Sequence, residues 1–232
     1  MTDEIETYLS ISPNKFEIYL FDKKNLVNLY KEQFETNSNK VEIDINLLKL
    51  FLEENIFKIE KLIGKFIKNI FLILNDSKVL NLHLGIKKKN YNKVVNKKYL
   101  ENILIEAKDL FKETYQENQI MHMVVNKYII NGNYYSKLDE ESVSDFLCIE
   151  LQFISVPNNL ASDISRVLEK YQIKVVKYFD YSYIKNFFFE KDIELSHMVF
   201  KIKNGFNENE VVLVPKNYKK FGFFEKFFQL FS

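Results

Sequence analysis

The stretch that decides the fold runs from Gln119 to Gly132 and reads QIMHMVVNKYIING. Apolar and β-branched residues dominate it and it ends in an Asn-Gly pair, so the pattern predicts one long strand that closes in a tight turn. A helical pattern from Lys97 to Glu117 leads into it, and an apolar strand pattern from Phe146 to Ser155 follows it. Because Val79 to Lys88 alternates apolar and polar residues before the helix, we predict the order strand, helix, strand, strand.

The sequence on either side of this region predicts the elements of a second α/β sheet. Two short β-rich runs flank Ser12-Pro13-Asn14-Lys15, which predicts a hairpin. Asp44 is a predicted helix N-cap, because its carboxylate can accept hydrogen bonds from the first amides of a helix. The remaining predictions are strands at Thr7 to Ile11, Phe16 to Phe21, Leu26 to Phe34, Asn69 to Leu74 and Ile173 to Tyr178, a helix from Pro157 to Tyr171, and a hairpin of Leu195 to Lys203 with Glu210 to Val214.

The residues from Gln119 to Gly132, in this order of elements, resemble the inserted subdomain of FtsA, an actin-like bacterial cell-division protein. The resemblance covers about residues 66 to 205 and continues where a helix runs into IKVVKYFDYSY, which ends at Tyr183. It implies an α/β (α+β) chain with a partial actin-like (RNase H-like) domain, an inserted SHS2 subdomain and a C-terminal amphipathic helix. The implied boundaries are 1–75 and 156–214 for the actin-like domain, 76–155 for the insert that makes protein contacts, and 215–232 for a membrane-targeting tail.

Composition limits the function classes. The chain has 232 residues, 47% of them hydrophobic, and a net charge of +1, so it can form one large or two small cores and has no global field that attracts nucleic acid. Basic charge is almost all lysine, with Arg166 the one arginine. Bidentate recognition of phosphate or guanine is therefore nearly excluded, and no nucleic-acid partner is expected.

Cysteine use and the termini predict the compartment. The one cysteine, Cys148, excludes an internal disulfide and fits a reducing compartment. Because it lies in an apolar strand pattern, we predict a buried, inert thiol. The segment from Met1 to Glu6 has a net negative charge and lacks an apolar signal-peptide core. No apolar run approaches the ~20 residues of a spanning helix. We therefore expect a cytoplasmic protein.

The family's phosphate chemistry is missing from the first loop. Actin-family ATPases hold phosphates with two glycine-bearing turns, each preceded by an aspartate, because amides reach a phosphate where no side chain intervenes and carboxylates hold magnesium. The resemblance aligns the first turn with Ser10-Ile11-Ser12-Pro13-Asn14-Lys15. Lys15 fits, whereas Ser10 and Ser12 replace the aspartate and the glycine, and the proline removes one amide donor.

The second loop is altered in the same way. The resemblance aligns it with Lys201-Ile202-Lys203-Asn204-Gly205, after a predicted strand near Val199. Lys201 and Lys203 occupy the aspartate and first glycine positions, and only Gly205 remains of the glycine run. We therefore expect degenerate loops, no bound cofactor, no catalytic residue and no enzyme activity.

Two further patterns have a chemical interpretation that ranks below a structural one. His83, His122 and His197 are scattered without metal-ligand spacing, so no metal is predicted. The loop from Ser136 to Asp145 is acidic, and a solvated loop is favoured over a catalytic carboxylate pair. Because the corresponding loop region of FtsA contributes to partner contacts, a docking role is the second alternative.

The tail predicts contact with lipid. Its aromatic residues fall on one half of a helix and lysines precede them, a pattern of helices that lie in the interface of an anionic membrane. The alternative is that this helix packs on its own domain. Such an anchor is reversible, so stable attachment requires several copies and self-association is expected. The predicted membrane-binding residues are Lys219, Lys220, Phe221, Phe223, Phe224, Phe227, Phe228, Leu230 and Phe231.

These patterns together predict a membrane-associated adaptor. The favoured hypothesis is a reduced, FtsA-like bacterial protein, peripheral on the cytoplasmic face of the inner membrane at the division site, with division-machinery proteins as partners. The subdomain with which FtsA contacts the FtsZ polymer is not recognised, so the sequence does not decide whether FtsZ is a direct partner. The alternatives are an actin-like adaptor of a pilus or secretion apparatus and an atypical ATP-binding actin-like protein.

Overall fold

The chain divides into two compact units that are interleaved in sequence. The computed structural model describes residues 4–36, 41–138, 142–188 and 193–212. Unit 1 is built from the described residues of Met1–Val79 and Val156–Phe206, and unit 2 from those of Leu80–Ser155 and from Asn207 onward. Each unit has its own sheet. No helix in the described part of the chain is long and apolar enough to cross a membrane.

Unit 1 is organised by a five-stranded mixed sheet of order β3-β2-β1-β4-β9. The first three strands form consecutive antiparallel pairs, β4 pairs in parallel with β1, and β9 pairs in parallel with β4. The predicted hairpin about Ser12 to Lys15 is confirmed, with Ile11 paired to Phe16. The strands are β1 Ile5–Ile11, β2 Lys15–Asp22, β3 Val27–Glu35, β4 Asn69–Leu74 and β9 Lys174–Asp180.

The first helix of unit 1, α1 (Ile45–Ile63), begins directly after its predicted N-cap. The Asp44 carboxylate accepts hydrogen bonds from the amides of Asn46 and Leu47 at 3.0 and 3.1 Å, which confirms the predicted N-cap. Gly64 ends the helix with φ +65°, a conformation that glycine adopts without strain. The buried stripe of α1 packs on the sheet and on α3 (Asn158–Glu169). It consists of Leu48, Phe51, Leu52, Asn55, Ile56 and Ile59.

The predicted hairpin of Leu195 to Lys203 with Glu210 to Val214 is wrong, because Leu195–Lys203 is a helix, α5. Its buried residues Leu195, Met198, Val199 and Ile202 recur at helical spacing, and burial of that stripe outweighs the strand preference of valine and isoleucine. The following glycine, with φ +85°, lies just past the end of the helix and does not turn a hairpin. A short helix, α4 (Tyr181–Phe187), precedes α5.

Unit 2 has the predicted order strand, helix, strand, strand, with one short strand added. Its four-stranded sheet has the order β5-β8-β6-β7. Asn131 and Gly132 both have positive φ, +50° and +87°, which confirms the predicted Asn-Gly turn between β6 and β7. The elements are β5 Leu80–Val94, α2 Lys97–Thr114, β6 Asn118–Ile130, β7 Asn133–Tyr135 and β8 Val143–Pro157.

The core of unit 2 lies between α2 and one face of this sheet. The Phe111 ring stacks on the Phe153 ring with centroids 4.7 Å apart and on the Tyr115 ring at 5.0 Å. Leu110, predicted on the apolar stripe, is 45% exposed. The remaining core residues include Leu100, Ile103, Leu104 and Ala107 of α2, Met123, Val125 and Tyr128 of β6, and Leu147, Ile149 and Leu151 of β8.

The last described residues, 207–212, belong to unit 2 and not to the actin-like domain in which we expected them. The Val211 amide donates to the Met123 carbonyl at 2.7 Å, and the Val125 amide donates to the Asn209 carbonyl at 2.9 Å. Glu210 forms an antiparallel bridge with Val124. The segment thus pairs with β6, a long-range contact that local sequence pattern does not encode.

Candidate functional site

The turn between β1 and β2 is the one that the sequence resemblance aligns with the first phosphate loop of actin-like ATPases. The Ser12 amide donates to the Lys15 carbonyl at 2.9 Å, and the Lys15 amide donates to the Ser12 carbonyl at 3.4 Å. The Ser12 hydroxyl also donates to the Lys15 carbonyl at 3.1 Å. Because Pro13 has no N–H, the turn has three amides, and two of them are used within it. Ser10, at the aspartate position, is buried in β1.

The Lys15 ammonium points to carboxylates on neighbouring strands. Its Nζ lies 3.0 Å from Glu17 Oε1 and 3.5 Å from Glu35 Oε1. Partial burial acts to lower the pKa of Lys15, but the hydrogen bond and the charge of Glu17, with those of Glu35, raise it above its ordinary value. Lys15 is therefore balanced by two acidic side chains, and a phosphate would have to compete with both.

The residues of the predicted second loop are in α5 and just after it, and they do not approach the first turn. Lys203 donates a hydrogen bond to Glu6, at the start of β1, and its ammonium lies 4.7 Å from the centroid of the Phe71 ring. Ser12 follows the other end of β1, and an extended strand rises ~3.3 Å per residue, so the two positions are about 20 Å apart. The prediction of a strand and loop near Val199 is wrong, because Lys201 and Lys203 lie in the last turn of a helix.

Glu6, the partner of Lys203, is held as a carboxylate by several donors. The Tyr8 hydroxyl donates to it at 2.5 Å, and Lys23 Nζ lies 3.3 Å from Glu6 Oε1. Burial alone would raise the pKa of Glu6, but the hydrogen bonds from Lys203 and Tyr8 and the charges of both lysines lower it below its ordinary value. A carboxylate with this many donors is an anchor of the fold and is poorly suited to proton transfer.

The described residues of unit 1 line a groove towards each end of β1. The first, of about 680 Å³, is lined by residues that include Ile5, Glu6, Lys23, Phe66 and Phe71. The second, of about 450 Å³, lies beside the β1–β2 turn and is lined by Lys15, Glu17, Tyr19, Lys31, Tyr181, Lys185, Ile193, Glu194 and Leu195. With three lysines and two glutamates, the second groove carries a net charge of +1.

Several side chains of the second groove escaped the sequence analysis because α4 and α5 were not recognised. Asp180 ends β9, and its carboxylate accepts the Tyr183 amide at 2.7 Å, so it caps α4. Lys31 Nζ lies 2.9 Å from Glu194 Oε2. The sequence signal that could have predicted α4 is Asp180, because it is a typical helix N-cap residue and directly follows a strand pattern.

The histidines do not converge. Among the described residues, no group of three or more His, Cys, Asp or Glu side chains could hold a metal ion. His122 is buried, with Nδ1 2.9 Å from Glu210 Oε1. His83 contacts Asn126 at 3.1 Å. His197 lies in α5, where burial, followed by the nearby charge of Lys201, lowers its pKa below its ordinary value.

Cys148 is half-buried, so the prediction of a buried thiol is wrong. Burial, followed by the charge of Glu150, raises the pKa of the thiol above its ordinary value, which disfavours the reactive thiolate. The predicted membrane-binding residues Lys219 to Phe231 lie outside the described residues. So do Asp139, Glu140 and Glu141 of the acidic loop.

Comparison with known proteins gives the fold and no family. No family model and no curated protein matches the chain. A solved structure of a PilM–PilN type IV pilus biogenesis complex matches with TM-score 0.51 and 10% identity, over 80% of this chain and 50% of that one. The cytoplasmic domain of EpsL from the type II secretion system of Vibrio cholerae matches with TM-score 0.36 and 8% identity, over 76% and 55%. A Bacteroides thetaiotaomicron protein with an actin-like ATPase fold matches with TM-score 0.33 and 12% identity, over 81% and 56%.

The chain spans about half the length of these solved structures. Together with the strand order of unit 1, the match confirms the predicted fold class: an α/β protein with a partial actin-like domain.

Proposed function

We propose that this chain is a non-enzymatic adaptor that keeps an actin-like domain and has lost the nucleotide-binding chemistry of that fold. The β1–β2 turn is the observation that carries the proposal. A phosphate needs several unsatisfied amides directed at it, and a glycine to let it approach. This turn has no glycine, contains a proline and uses the Ser12 and Lys15 amides internally.

The carboxylates near this turn also favour loss of magnesium binding. Ser10 stands at the aspartate position and cannot supply a charged ligand. Asp180, at the end of β9, caps α4 through the Tyr183 amide. Glu17 and Glu35 are paired with Lys15. A magnesium ion would have to replace these partners, so an adaptor without nucleotide accounts for the arrangement better than an atypical ATPase.

The apparatus that the adaptor serves has two candidates. An adaptor of a pilus or secretion apparatus is the first, supported by the fold likeness to the PilM–PilN complex. A cell-division adaptor is the second, supported by the resemblance of Gln119 to Gly132 to the insert of FtsA. In both, unit 2 acts as an SHS2-type insert for protein contacts, and the protein lies on the cytoplasmic face of the bacterial inner membrane.

The tail supplies the membrane contact in this proposal. Residues Lys219 and Lys220 meet anionic headgroups, and the phenylalanines from Phe221 to Phe231 enter the interface. Burying one Phe side chain contributes ~1.5–3 kcal/mol, against about 1 kcal/mol per residue for ordering the backbone. The anchor is therefore reversible, and several copies on one complex would strengthen it.

Calorimetric titration of the full chain with Mg-ATP tests the loss of nucleotide binding. We expect no saturable heat up to about 1 mM nucleotide, which means that any binding free energy is weaker than about −4 kcal/mol. Micromolar binding would contradict the proposal if Lys15→Ala abolishes it, because the turn would then hold phosphate. Micromolar binding that survives Lys15→Ala would place the nucleotide elsewhere and also end the description as a nucleotide-independent adaptor.

Localisation separates the two apparatuses. A fluorescent fusion expressed from the native locus should form foci at pilus or secretion assemblies under the first candidate and a mid-cell band under the second. Neighbouring genes give an independent answer, with pilus genes on one side and cell-wall and division genes on the other. A uniform cytoplasmic signal that does not change when residues 219–232 are deleted would refute the membrane location.

A further inference from the structure

The sheet of unit 2 has a second face, opposite α2, that we call the outer face. It is defined by Gly85, Lys87 and Lys89 of β5 and by Phe146, Cys148 and Glu150 of β8. The register pairs Gly85 with Glu150, Lys87 with Cys148, and Lys89 with Phe146. Directly paired residues of neighbouring strands point to the same side of a sheet, so these six share one face. The core residues Ile86, Leu147 and Ile149 alternate with them and face α2.

Aromatic rings and lysines are interleaved on this face. Phe146 is 39% exposed, and the ammonium groups of Lys87 and Lys89 lie 4.7 and 5.8 Å from its ring centroid. Lys127 lies 3.1 Å from Glu150 and 4.9 Å from the centroid of the Tyr134 ring, which is 69% exposed. The lysine stems and the rings together form an apolar surface with cationic edges.

Gly85 leaves room on β5, the edge strand of this sheet, at the end of the outer face away from Phe146. It lies inside β5, yet it does not have a positive φ, and a Cβ built on it meets no heavy atom within 4 Å. The fold of the chain therefore does not require glycine here, although glycine weakens a strand interior. A glycine in a strand often marks a place where another backbone approaches closely. This observation is independent of the aromatic and cationic side chains around it.

The charge of the face selects the occupant. The face itself has Lys87 and Lys89 against Glu150, and Lys127 of β6 pairs with Glu150 beside it, so the four side chains give 3 − 1 = +2, whereas the whole chain has +1. Residues 215–232 of this chain contain four lysines and one glutamate, 4 − 1 = +3, so the tail has the same sign as the face and is a poor occupant. The ring of Phe146 is 39% exposed and is flanked by the ammonium groups of Lys87 and Lys89, so an acidic partner can contact the ring and both charges together.

We infer that the outer face docks an acidic amphipathic segment of a partner protein, with apolar side chains against Phe146 and Gly85 and Asp or Glu side chains against Lys87, Lys89 and Lys127. The inference rests on the proposed adaptor function and names the surface and the partner chemistry that serve it. The segment's backbone approaches at Gly85, and its carboxylates compete with the rings for the lysine ammonium groups.

A displayed library of random 16-residue peptides, selected on the immobilised full-length protein, tests this inference without a known partner. We expect enrichment of peptides with net negative charge and regularly spaced apolar residues. Gly85→Tyr should weaken their binding at least tenfold, because the ring fills the open space above Gly85, while the strand keeps its pairing. Lys87→Glu with Lys89→Glu should weaken binding at least thirtyfold.

The matched control is Lys98→Glu with Lys112→Glu, which changes charge equally on exposed positions of α2 and should leave binding unchanged. Circular dichroism of each variant checks that the fold is kept. Enriched peptides without acidic bias, or equal binding to all variants, would overturn the inference. The full chain should bind phosphatidylglycerol vesicles equally in Lys87→Glu with Lys89→Glu and in the control variant. Weaker vesicle binding in the first variant alone would overturn the inference, because the face would then be a lipid surface.

The two proposals fail in different ways. If the native protein selects no acidic peptide and binds no Mg-ATP, the docking surface is refuted and the proposed adaptor function still stands. Mg-ATP binding at micromolar concentration contradicts the adaptor function whatever the peptide result.

Discussion

Replacement of Lys203 by methionine tests whether this lysine holds the fold or belongs to a phosphate site. In the structure Lys203 donates to Glu6 across the start of β1, and both side chains are largely buried, 19% and 11% exposed. Met keeps most of the apolar stem that packs over Phe71 and removes only the charge. The Glu6 carboxylate then keeps the Tyr8 hydroxyl and Lys23 as donors.

The expected loss of stability follows from these contacts. A hydrogen bond to a charged group contributes about 1.5–3 kcal/mol, and removing one partner of a buried pair costs up to about 5 kcal/mol. Because Lys23 and Tyr8 still compensate Glu6, we expect Lys203→Met to lower the free energy of unfolding by about 2 kcal/mol. With a typical urea m-value of about 2 kcal/mol/M, the midpoint should fall by about 1 M.

The pH dependence gives the sign of the effect. The folded-state pKa of Glu6 lies below its ordinary value of 4.5, so its contribution is fully present above pH 4.5 and is lost as pH falls through the folded-state pKa. Lys203→Met removes one hydrogen bond and one positive charge that lower the pKa of Glu6 against the effect of burial, so the pKa of Glu6 rises. The difference between the two proteins should therefore be largest near pH 7 and shrink below about pH 4.5.

Urea unfolding followed by circular dichroism at pH 7.0, 5.0 and 3.5 measures this difference. Lys201→Met is the matched control, because it removes the same charge from the same helical turn, and it should change stability by less than about 0.5 kcal/mol. An equal loss in both variants, or a loss that stays constant down to pH 3.5, would refute the role assigned to the Lys203–Glu6 pair.

Three further predictions follow from the fold and the tail. Phe111→Ala should destabilise unit 2 by about 3–5 kcal/mol, because it removes a fully buried ring stacked on Phe153. Leu110→Ala, on the exposed side of α2, should cost less than about 1 kcal/mol. Thermal unfolding measures both losses, and equal losses would contradict the packing of α2. Asp44→Ala should cost about 1 kcal/mol in urea unfolding through loss of the N-cap of α1, with no loss counting against the cap. Deletion of residues 219–232 should release the protein from phosphatidylglycerol liposomes in a sedimentation assay, and unchanged sedimentation would refute the anchor.

The elements that could be predicted from sequence are those whose signals are local. Asp44 before an apolar stripe defines the start of α1, because capping and periodicity are properties of neighbouring residues. Asn131-Gly132 fixes the β6–β7 turn because both residues tolerate positive φ. The fold class was predicted from the resemblance of Gln119 to Gly132 to the FtsA insert, because that resemblance covers about residues 66 to 205 and so includes parts of both units.

The errors lie where non-local contacts decide. Leu195 to Lys203 has strand-forming residues, and only its packing against unit 1 selects the helix α5. Residues 207–212 pair with β6 across more than 80 positions of sequence, as His122 and Glu210 do. The charge partners of Lys15 and Lys203 were equally hidden, because a lysine in a sequence does not reveal the carboxylate that it meets.

The proposed loss of the phosphate cradle from an actin-like fold is physically possible because the two depend on different residues. The sheet of unit 1 is stabilised by its buried strands, among them Leu9, Ile18 and Leu72, and none of these side chains would contact a nucleotide at the edge of the sheet. The β1–β2 turn contributes little to that core, so its glycine and aspartate can be replaced at small cost in stability. Pro13 even restricts the unfolded chain and can stabilise the hairpin. Phosphate binding and folding thus depend on separate sets of residues, and selection for protein contacts alone can preserve the second set while the first is lost.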